Sequence, residues 1–150
     1  MNPSFVKELQ AIVGEPYTLS DRESLAVYGY DATPELESSP GVVLLPGTAD
    51  EIARIMRLCY GAGVSVIPRG SGTNLSGGSI ADSQGVVVQT SRLNRIIEVD
   101  EENLTATVEP GVITSALHRE VEARGLFYPP DPGSMNISTM GGNVAENSGG

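Results

Sequence analysis

The segment VSVIPRGSGTNLSGGSI, residues 64–80, decides the fold of this chain. Its first four residues are mostly apolar and predict a β-strand. The loop that follows contains four glycines, Gly70, Gly72, Gly77 and Gly78. Glycine allows positive φ angles and lets backbone N–H groups converge on an anion, so the segment predicts a strand that leads into a phosphate-binding loop. The alternative is a plain surface connection, since Gly and Ser clusters often only join two elements.

Two familiar phosphate-binding motifs do not fit this loop. The dinucleotide fingerprint G-x-G-x-x-G requires glycine where Leu75 stands, and residues 76–82 show no helical periodicity. The P-loop G-x-x-x-x-G-K-S requires, where Gly78 stands, the lysine that reaches the β- and γ-phosphates. The Rossmann and nucleotide-hydrolase interpretations are therefore excluded. What remains is a glycine loop between two strands, because residues 85–89 form another β-branched run.

The residues before the loop predict a βαβ unit. Residues 42–45 form a short apolar strand, and Thr48 with Glu51 has the spacing of a capping box at a helix start. One face of this helix is predicted to carry Ile52, Ile55, Met56, Cys59 and Tyr60. Gly61 and Gly63 end the helix, and Cys59 is interpreted as a core residue. The two strands are expected to be parallel with a right-handed crossover, so the loop leaves the sheet edge where open α/β sheets bind ligands.

Further elements are predicted on either side of this unit. Ser4 caps a first helix that stops at Gly14, and Ser20 caps a second helix before the Tyr28–Asp31 stretch, whose aromatics are interpreted as packing residues. Residues 96–99 and 104–108 predict a β-hairpin, and residues 113–121 predict a helix that ends at Gly125. His118 on this helix is interpreted as a solvated side chain. No catalytic residue and no set of metal ligands is predicted.

Composition limits the possible partners. The chain has 150 residues, of which 39% are apolar, and this fits one ordinary globular domain. A formal net charge of −10 with Lys7 as the only lysine argues against nucleic acid and against an anionic membrane surface. The single cysteine allows no internal disulfide, and no run approaches the roughly 20 apolar residues that span a bilayer. We therefore expect a cytoplasmic protein without a transmembrane segment.

The last 26 residues predict a second binding surface built from backbone. Prolines at 129, 130 and 132 fix an extended approach, and glycines then recur at 133, 141, 142, 149 and 150. Two such surfaces in one domain favour a long ligand with a phosphate part and a flat polar part. The chain ends within this second cluster, so we interpret the sequence as a fragment.

Three segments in order, PRGSGTNLSGGS, LFYPPDPGS and TMGGNVAENSGG, resemble the flavin-binding domain of the vanillyl-alcohol oxidase and p-cresol methylhydroxylase superfamily. The most similar branch is that of the flavoprotein subunits of glycolate oxidase and the flavin-dependent D-lactate dehydrogenases. The resemblance implies an α+β fold of the p-cresol methylhydroxylase type, with a βαβ-containing subdomain and an incomplete second subdomain. It places an N-terminal helical segment at residues 1–35 and the FAD-binding domain at residues 36–150.

The resemblance also implies which residues bind FAD. Around the pyrophosphate it places Arg69, Gly70, Ser71, Gly72, Thr73 and Asn74, and Gly77 of the same loop is also assigned to FAD binding. Beside the flavin it places Pro132, Gly133 and Ser134, and along the isoalloxazine and ribityl part Thr139, Gly141, Gly142, Asn143, Asn147 and Gly149. Some members attach FAD covalently to a histidine at the position of Thr73, so noncovalent FAD is expected here.

For the full-length parent, the resemblance implies oxidation of a 2-hydroxy acid of the glycolate or D-lactate type to a 2-oxo acid by hydride transfer to flavin. Electrons then pass to an acceptor or a partner subunit, through which the protein could sit at the membrane periphery. Catalytic side chains are expected from a substrate domain outside this sequence, so the fragment alone is expected to be inactive. The alternatives are an FAD enzyme of the same fold with other chemistry, of the nucleotide-sugar reductase or ether-lipid synthase type, and a noncatalytic nucleotide-binding module.

Overall fold

A four-stranded sheet forms the first half of the fold in a computed structural model that describes all 150 residues. Its strands are β1 (Thr18–Leu19), β2 (Val42–Leu44), β3 (Val66–Arg69) and β4 (Val86–Gln89), in the order β1-β2-β4-β3. Strands β2, β4 and β3 are parallel and β1 is antiparallel to β2. The two predicted strands are thus parallel, as expected, but β4 lies between them. Because β3 is an edge strand, Pro68 is tolerated within it.

Five α-helices and a hairpin complete the chain. The helices are α1 (Pro3–Val13), α2 (Arg22–Val27), α3 (Ala49–Ala62), α4 (Thr114–Glu122) and α5 (Met140–Ala145). A 3₁₀ turn at Glu15–Tyr17 follows α1. The antiparallel hairpin consists of β5 (Ile96–Asp100) and β6 (Thr105–Val108). The mixed helix and sheet architecture confirms the predicted α+β class.

Helix α3 begins and ends where the sequence predicts, with a different arrangement in detail. The Thr48 hydroxyl accepts the N–H of Glu51 at 3.1 Å, but the Glu51 carboxylate accepts the N–H of Gly47, at 2.6 Å, rather than that of Thr48. Gly63 ends the helix with φ 65°, a left-handed conformation that glycine adopts without strain. Gly61 lies inside the helix instead of ending it.

The predicted apolar face of α3 is too wide. Ile55 and Cys59 are buried, whereas Met56 is 48% exposed and Tyr60 is 90% exposed. Each residue of a helix turns by about 100°, so Ile55 and Tyr60 point in directions about 140° apart. The buried stripe is therefore narrower than the run of apolar residues, and the interpretation of Cys59 as a core residue is confirmed.

The caps predicted for the first two helices are wrong by one or two residues. The Asn2 side chain accepts the N–H of Ser4 at 2.9 Å, and Pro3 occupies the first helical position, where its missing N–H costs nothing. For α2, the Asp21 carboxylate accepts the N–H of Ser24 at 2.9 Å. Short polar residues were adjacent in both places, and spacing alone did not select between them.

Three apolar clusters hold these elements. Residues on one face of the sheet pack with α1 and α3 in a cluster of Leu9, Val13, Val42, Leu44, Ile55, Cys59, Val86 and Val88. Alternate strand residues point to the opposite face, where Leu25, Val43, Ala81 and Val87 form the second cluster. The third cluster joins α4 and α5 through Val112, Leu117, Val121 and Met140. The hairpin β5–β6 also packs against the third cluster. We call α4, α5 and this hairpin the second unit, which lies against the carboxyl edge of the sheet.

The contrast within α3 gives a stability prediction. We expect Ile55→Ala to lower the free energy of unfolding by about 2–5 kcal/mol, because it leaves a cavity in the first cluster. Tyr60→Ala on the same helix is the matched control and should stay within about 0.5 kcal/mol, because its side chain packs against little. Urea unfolding followed by circular dichroism measures the free energy of unfolding of both variants. Equal losses would contradict the orientation of α3, in which Ile55 faces the core and Tyr60 faces away from it.

Candidate functional site

A cleft of about 250 Å³ lies between the glycine loop and the second unit, at the carboxyl ends of β3 and β4. We call residues 68–79 the first wall and residues 134–148 the second wall. Most of the residues assigned from the sequence line this cleft: Arg69, Gly70, Ser71, Gly72, Thr73, Asn74, Ser134, Thr139, Gly141, Gly142 and Asn143. The two predicted binding surfaces therefore meet in one site.

Five assigned residues do not line the cleft: Gly77, Pro132, Gly133, Asn147 and Gly149. Gly77 has φ 71° and its N–H bonds the Thr33 hydroxyl at 2.9 Å, so it shapes the loop from behind. The carbonyl of Gly149 accepts the N–H of Asp131 at 3.0 Å. These contacts give Gly77 and Gly149 structural positions next to the cleft.

Nine lining residues are not among the individually assigned FAD contacts, although all of them except Thr90 and Pro110 lie within the two predicted binding segments: Pro68, Gly78, Ser79, Thr90, Pro110, Ser138, Ala145, Glu146 and Ser148. The position of Thr90 at the site could have been predicted from the sequence, because Thr90 directly follows β4 and parallel strands end at the same edge of a sheet. The position of Pro110 could not, since it reaches the cleft only through tertiary packing against Gly141, whose N–H bonds the Pro110 carbonyl at 2.8 Å.

The first wall carries free hydrogen-bond donors. None of the backbone N–H groups of residues 70–74 donates a hydrogen bond within the chain, although the segment is only partly exposed. Gly72 contributes with φ 68°, a conformation in which a side chain would also overlap the Arg69 guanidinium. Consecutive free N–H groups around a concave loop are a typical site for phosphate oxygens.

The second wall differs, because the donors of residues 140–143 are already used. Met140 and Gly141 donate their N–H groups to the carbonyls of Val112 and Pro110, both at 2.8 Å. Those of Gly142 and Asn143 bond the Thr139 hydroxyl at 3.2 Å and the Thr139 carbonyl at 2.9 Å. The first turn of α5 therefore gives the cleft shape and no free donors, and the run of five consecutive free N–H groups lies on the first wall.

The two walls touch at defined points. A Cβ atom on Gly70 would overlap the Thr139 hydroxyl, so the close approach requires glycine. The Ser71 hydroxyl donates to the Ile137 carbonyl, and the Ser76 hydroxyl donates to the Glu146 carboxylate at 2.8 Å. Glu146 is also the only carboxylate that lines the cleft, and Arg69 is its only cation.

A buried polar cluster lies behind the first wall, with Arg69 7%, Ser79 6% and Asp31 8% exposed. Arg69 Nη1 donates to the carbonyl and the hydroxyl of Ser79 at 3.4 and 3.3 Å. Burial lowers the pKa of Arg69, and Asp31 opposes that effect. Burial alone would raise the pKa of Asp31, but hydrogen bonds from Thr33 and Asn74 and the charge of Arg69 bring that pKa below its usual range. Arg69 is thus a buried charged group that Asp31 partly compensates.

The prediction that His118 is solvated is wrong. His118 is 8% exposed, its Nε2 donates to the Pro130 carbonyl at 2.8 Å, and its ring meets the Tyr128 ring edge-on at 5.5 Å. The periodicity of α4 could not reveal this partner, because Pro130 comes from a separate extended segment. His118 belongs to the packing of the second unit and does not line the cleft.

Comparison with known proteins identifies the family of this chain. Residues 40–150 match the model of the FAD binding domain family. The chain belongs to this family. Its cofactor is therefore FAD, and the free N–H groups of residues 70–74 fit the pyrophosphate of such a molecule.

Curated relatives are similar over nearly the whole chain. It is 53% identical to glycolate oxidase subunit GlcD of Bacillus subtilis, over 97% of the chain and 31% of that protein. It is 34% identical to D-2-hydroxyglutarate dehydrogenase of Stutzerimonas stutzeri, over 99% of the chain and 32% of that protein. It is 30% identical to D-lactate dehydrogenase of Anaerostipes hadrus, over 100% of the chain and 31% of that protein. The chain thus spans about a third of the length of these relatives.

Solved structures agree on the fold. An alkyldihydroxyacetonephosphate synthase matches with a TM-score of 0.85 and 25% identity, over 97% of this chain and 29% of that one. A p-cresol methylhydroxylase matches with a TM-score of 0.81 and 22% identity, over 94% of this chain and 28% of that one. These matches confirm the FAD-binding fold of the p-cresol methylhydroxylase type. No helix of the chain has the length and hydropathy to cross a bilayer.

The contact between the walls gives a binding prediction. We expect Gly70→Ala in the intact protein to raise the dissociation constant of FAD about tenfold or more, which corresponds to about 1.4 kcal/mol, because its Cβ pushes Thr139 away. Gly61→Ala is the control, since a Cβ there meets only open space within α3. Fluorescence titration of the apoprotein with FAD measures both. An unchanged constant for Gly70→Ala would show that the walls need not approach closely.

Proposed function

We propose that the intact protein is an FAD-dependent dehydrogenase that oxidises a 2-hydroxy acid to a 2-oxo acid. The observation that supports this most is what its relatives are named for: glycolate, D-lactate and D-2-hydroxyglutarate are all 2-hydroxy acids. The cleft is consistent with such an enzyme, because it offers phosphate donors next to a second wall of small residues. Glycolate and D-lactate are the substrates proposed here.

Within the cleft, we propose that residues 69–74 hold the FAD pyrophosphate. Five free N–H groups and the buried charge of Arg69 support this placement. Thr139, Gly141, Gly142 and Asn143 are proposed to lie along the ribityl and isoalloxazine part, with the segment 132–134 beside the flavin. Because the N–H groups at 140–143 already have partners, we propose that these residues contribute close packing more than donors. Gly77, Asn147 and Gly149 are proposed to act by shaping the backbone around FAD.

Bound FAD supplies the acceptor for a hydride from the substrate carbon that bears the hydroxyl group. This chain binds and orients the cofactor. We propose that the general base comes from elsewhere in the intact protein, because His118 is buried against Pro130 and Cys59 lies in the core, where burial raises the pKa of its thiol. An electron acceptor or partner subunit is proposed as well, since one relative is named as an oxidase subunit. The boundary at residues 35 and 36 and the cytoplasmic location stay predictions.

A second candidate keeps FAD and changes the chemistry. The match to alkyldihydroxyacetonephosphate synthase, with a TM-score of 0.85, favours an ether-lipid synthase over a nucleotide-sugar reductase of the same fold. In that case a 2-hydroxy acid would not donate electrons to the bound FAD. A noncatalytic nucleotide-binding module would behave in the same way.

Anaerobic titration separates these functions. We expect glycolate or D-lactate, added to the intact FAD-loaded protein without oxygen, to bleach the visible flavin absorption. L-Lactate and acetate are controls, because the first has the opposite configuration and the second has no hydroxyl group. No bleaching by any 2-hydroxy acid, in a protein that binds FAD, would reject the dehydrogenase and favour the synthase or the noncatalytic module.

The mode of attachment has its own test. Because Thr73 offers no histidine nitrogen for a bond to the flavin, we expect all FAD to be released when the purified intact protein is denatured. Absorption of the supernatant after precipitation of the protein measures released flavin. Flavin fluorescence that stays with the denatured polypeptide on a gel would show that attachment is covalent.

A further inference from the structure

We propose that Asp31 is a positioning residue for the FAD pyrophosphate, which holds the first wall and Arg69 in their binding geometry. Asp31 does not line the cleft, and nothing in the sequence pattern assigned it a role. The inference rests on the proposed placement of the pyrophosphate on residues 69–74. In this proposal, Asp31 makes the glycine-rich loop rigid enough to bind the pyrophosphate.

Three consecutive residues bind the loop from behind. The Asp31 carboxylate accepts the side-chain N–H of Asn74 at 2.6 Å, and the Ala32 N–H donates to the Asn74 carbonyl at 3.1 Å. The Thr33 hydroxyl accepts the N–H of Gly77 at 2.9 Å. The loop is therefore joined to residues 31–33 at its far end, just beyond the free N–H groups.

A second path leads from Asp31 to the near end of the loop. The Ser79 hydroxyl donates to the side-chain carbonyl of Asn74 at 2.8 Å, and Arg69 donates to both oxygens of Ser79. Arg69 and Asp31 form no direct ion pair, so Asn74 and Ser79 lie between the two charges. The Tyr28 ring faces the guanidinium at 5.6 Å on another side. Asp31 thus acts on both Asn74 and Arg69, which bound the stretch with free donors.

The carboxylate has a specific advantage at this position. One oxygen accepts the Thr33 N–H at 2.8 Å while the other accepts from Asn74, so both oxygens must be acceptors. An asparagine would point its NH₂ group at one of these donors and would remove the charge that compensates buried Arg69. Asp31→Asn therefore removes one hydrogen-bond acceptor and the negative charge behind the loop, while the volume of the side chain hardly changes.

Asp31 matters for FAD binding because it holds the loop in its binding conformation before FAD arrives. Fixing the backbone of a flexible residue costs conformational entropy, and glycine loses the most. If the loop were ordered only when FAD binds, that cost would reduce affinity. With Asp31 in place, the cost is met during folding, and the residues with free donors already line the cleft.

The test uses the intact apoprotein reconstituted with FAD. We expect Asp31→Asn to raise the dissociation constant of FAD about tenfold or more, in line with the loss of a charged hydrogen bond. We also expect the ³¹P resonances of the bound pyrophosphate to shift, while the visible absorption of the flavin stays unchanged. A purely structural role would lower thermal stability without changing the environment of the phosphates in the bound fraction.

Two further variants keep the test decisive. Asp21→Asn removes an equal charge at an exposed helix cap where asparagine caps equally well, so it should leave both readouts unchanged. Thr33→Val removes the acceptor of the Gly77 N–H together with the hydrogen bond of the same hydroxyl to Asp31, and serves if Asp31→Asn does not fold. We expect it to raise the dissociation constant about threefold to tenfold, in line with the loss of side-chain hydrogen bonds that fix the loop, and to shift the ³¹P resonances in the same direction.

The outcomes distinguish this inference from the function on which it rests. Unchanged ³¹P resonances in Asp31→Asn, or a dissociation constant within twofold of the wild type, would overturn the role of Asp31 while FAD binding stands. A wild-type protein that binds FAD without any ³¹P shift relative to free FAD would instead reject the placement of the pyrophosphate.

Discussion

The first wall depends on one constraint: the backbone N–H groups of residues 70–74 must be free, yet the backbone there must be fixed. Free donors are expensive to keep in a folded chain, since most backbone N–H groups find partners. In residues 70–74 they are free because neither sheet nor helix continues through the loop. The backbone is held instead by β3 at one end, by residues 31–33 at the other, and by Ser71 against the second unit. Between β3 and residues 31–33, side-chain hydrogen bonds therefore supply much of the local order.

In the second wall, the N–H groups of residues 140–143 are bonded within the chain instead of free. These donors are consumed in attaching α5 to residues 110–112 and to its own cap, so α5 has one position relative to the third apolar cluster. Asn143 adds to this by donating to the Thr114 hydroxyl at 2.6 Å, which connects α5 to α4. A rigid wall of small residues opposite a wall of free donors suits a ligand with a charged and a flat part. The division of tasks explains why glycines occur in both walls for different reasons.

Local patterns predicted the parts of the fold that local physics determines. The apolar strands, the helix that begins at Thr48 and the hairpin followed from periodicity and turn residues, and the loop was placed correctly at the end of β3. The insertion of β4 between β2 and β3 could not be predicted, because strand order depends on packing between distant residues. Asp31 and His118 were missed for the same reason. Their partners, Asn74 and Pro130, lie 43 and 12 residues away, and short-range spacing carries no information about them.

The net charge of −10 is at first sight unfavourable for a site that accepts an anion. At physiological ionic strength the Debye length is about 8 Å, so exposed carboxylates far from the cleft are largely screened there. The charges and dipoles that still act in the cleft are local, namely Arg69, the free N–H groups and Glu146. Glu146 donates nothing to an anion, but its carboxylate is engaged by the Ser76 hydroxyl at the edge of the loop. On the proposed placement of the pyrophosphate, affinity would come from oriented dipoles and one buried charge. Such short-range contacts lose strength when the loop backbone moves, so the bonds that fix the loop would affect the affinity more than the overall charge does.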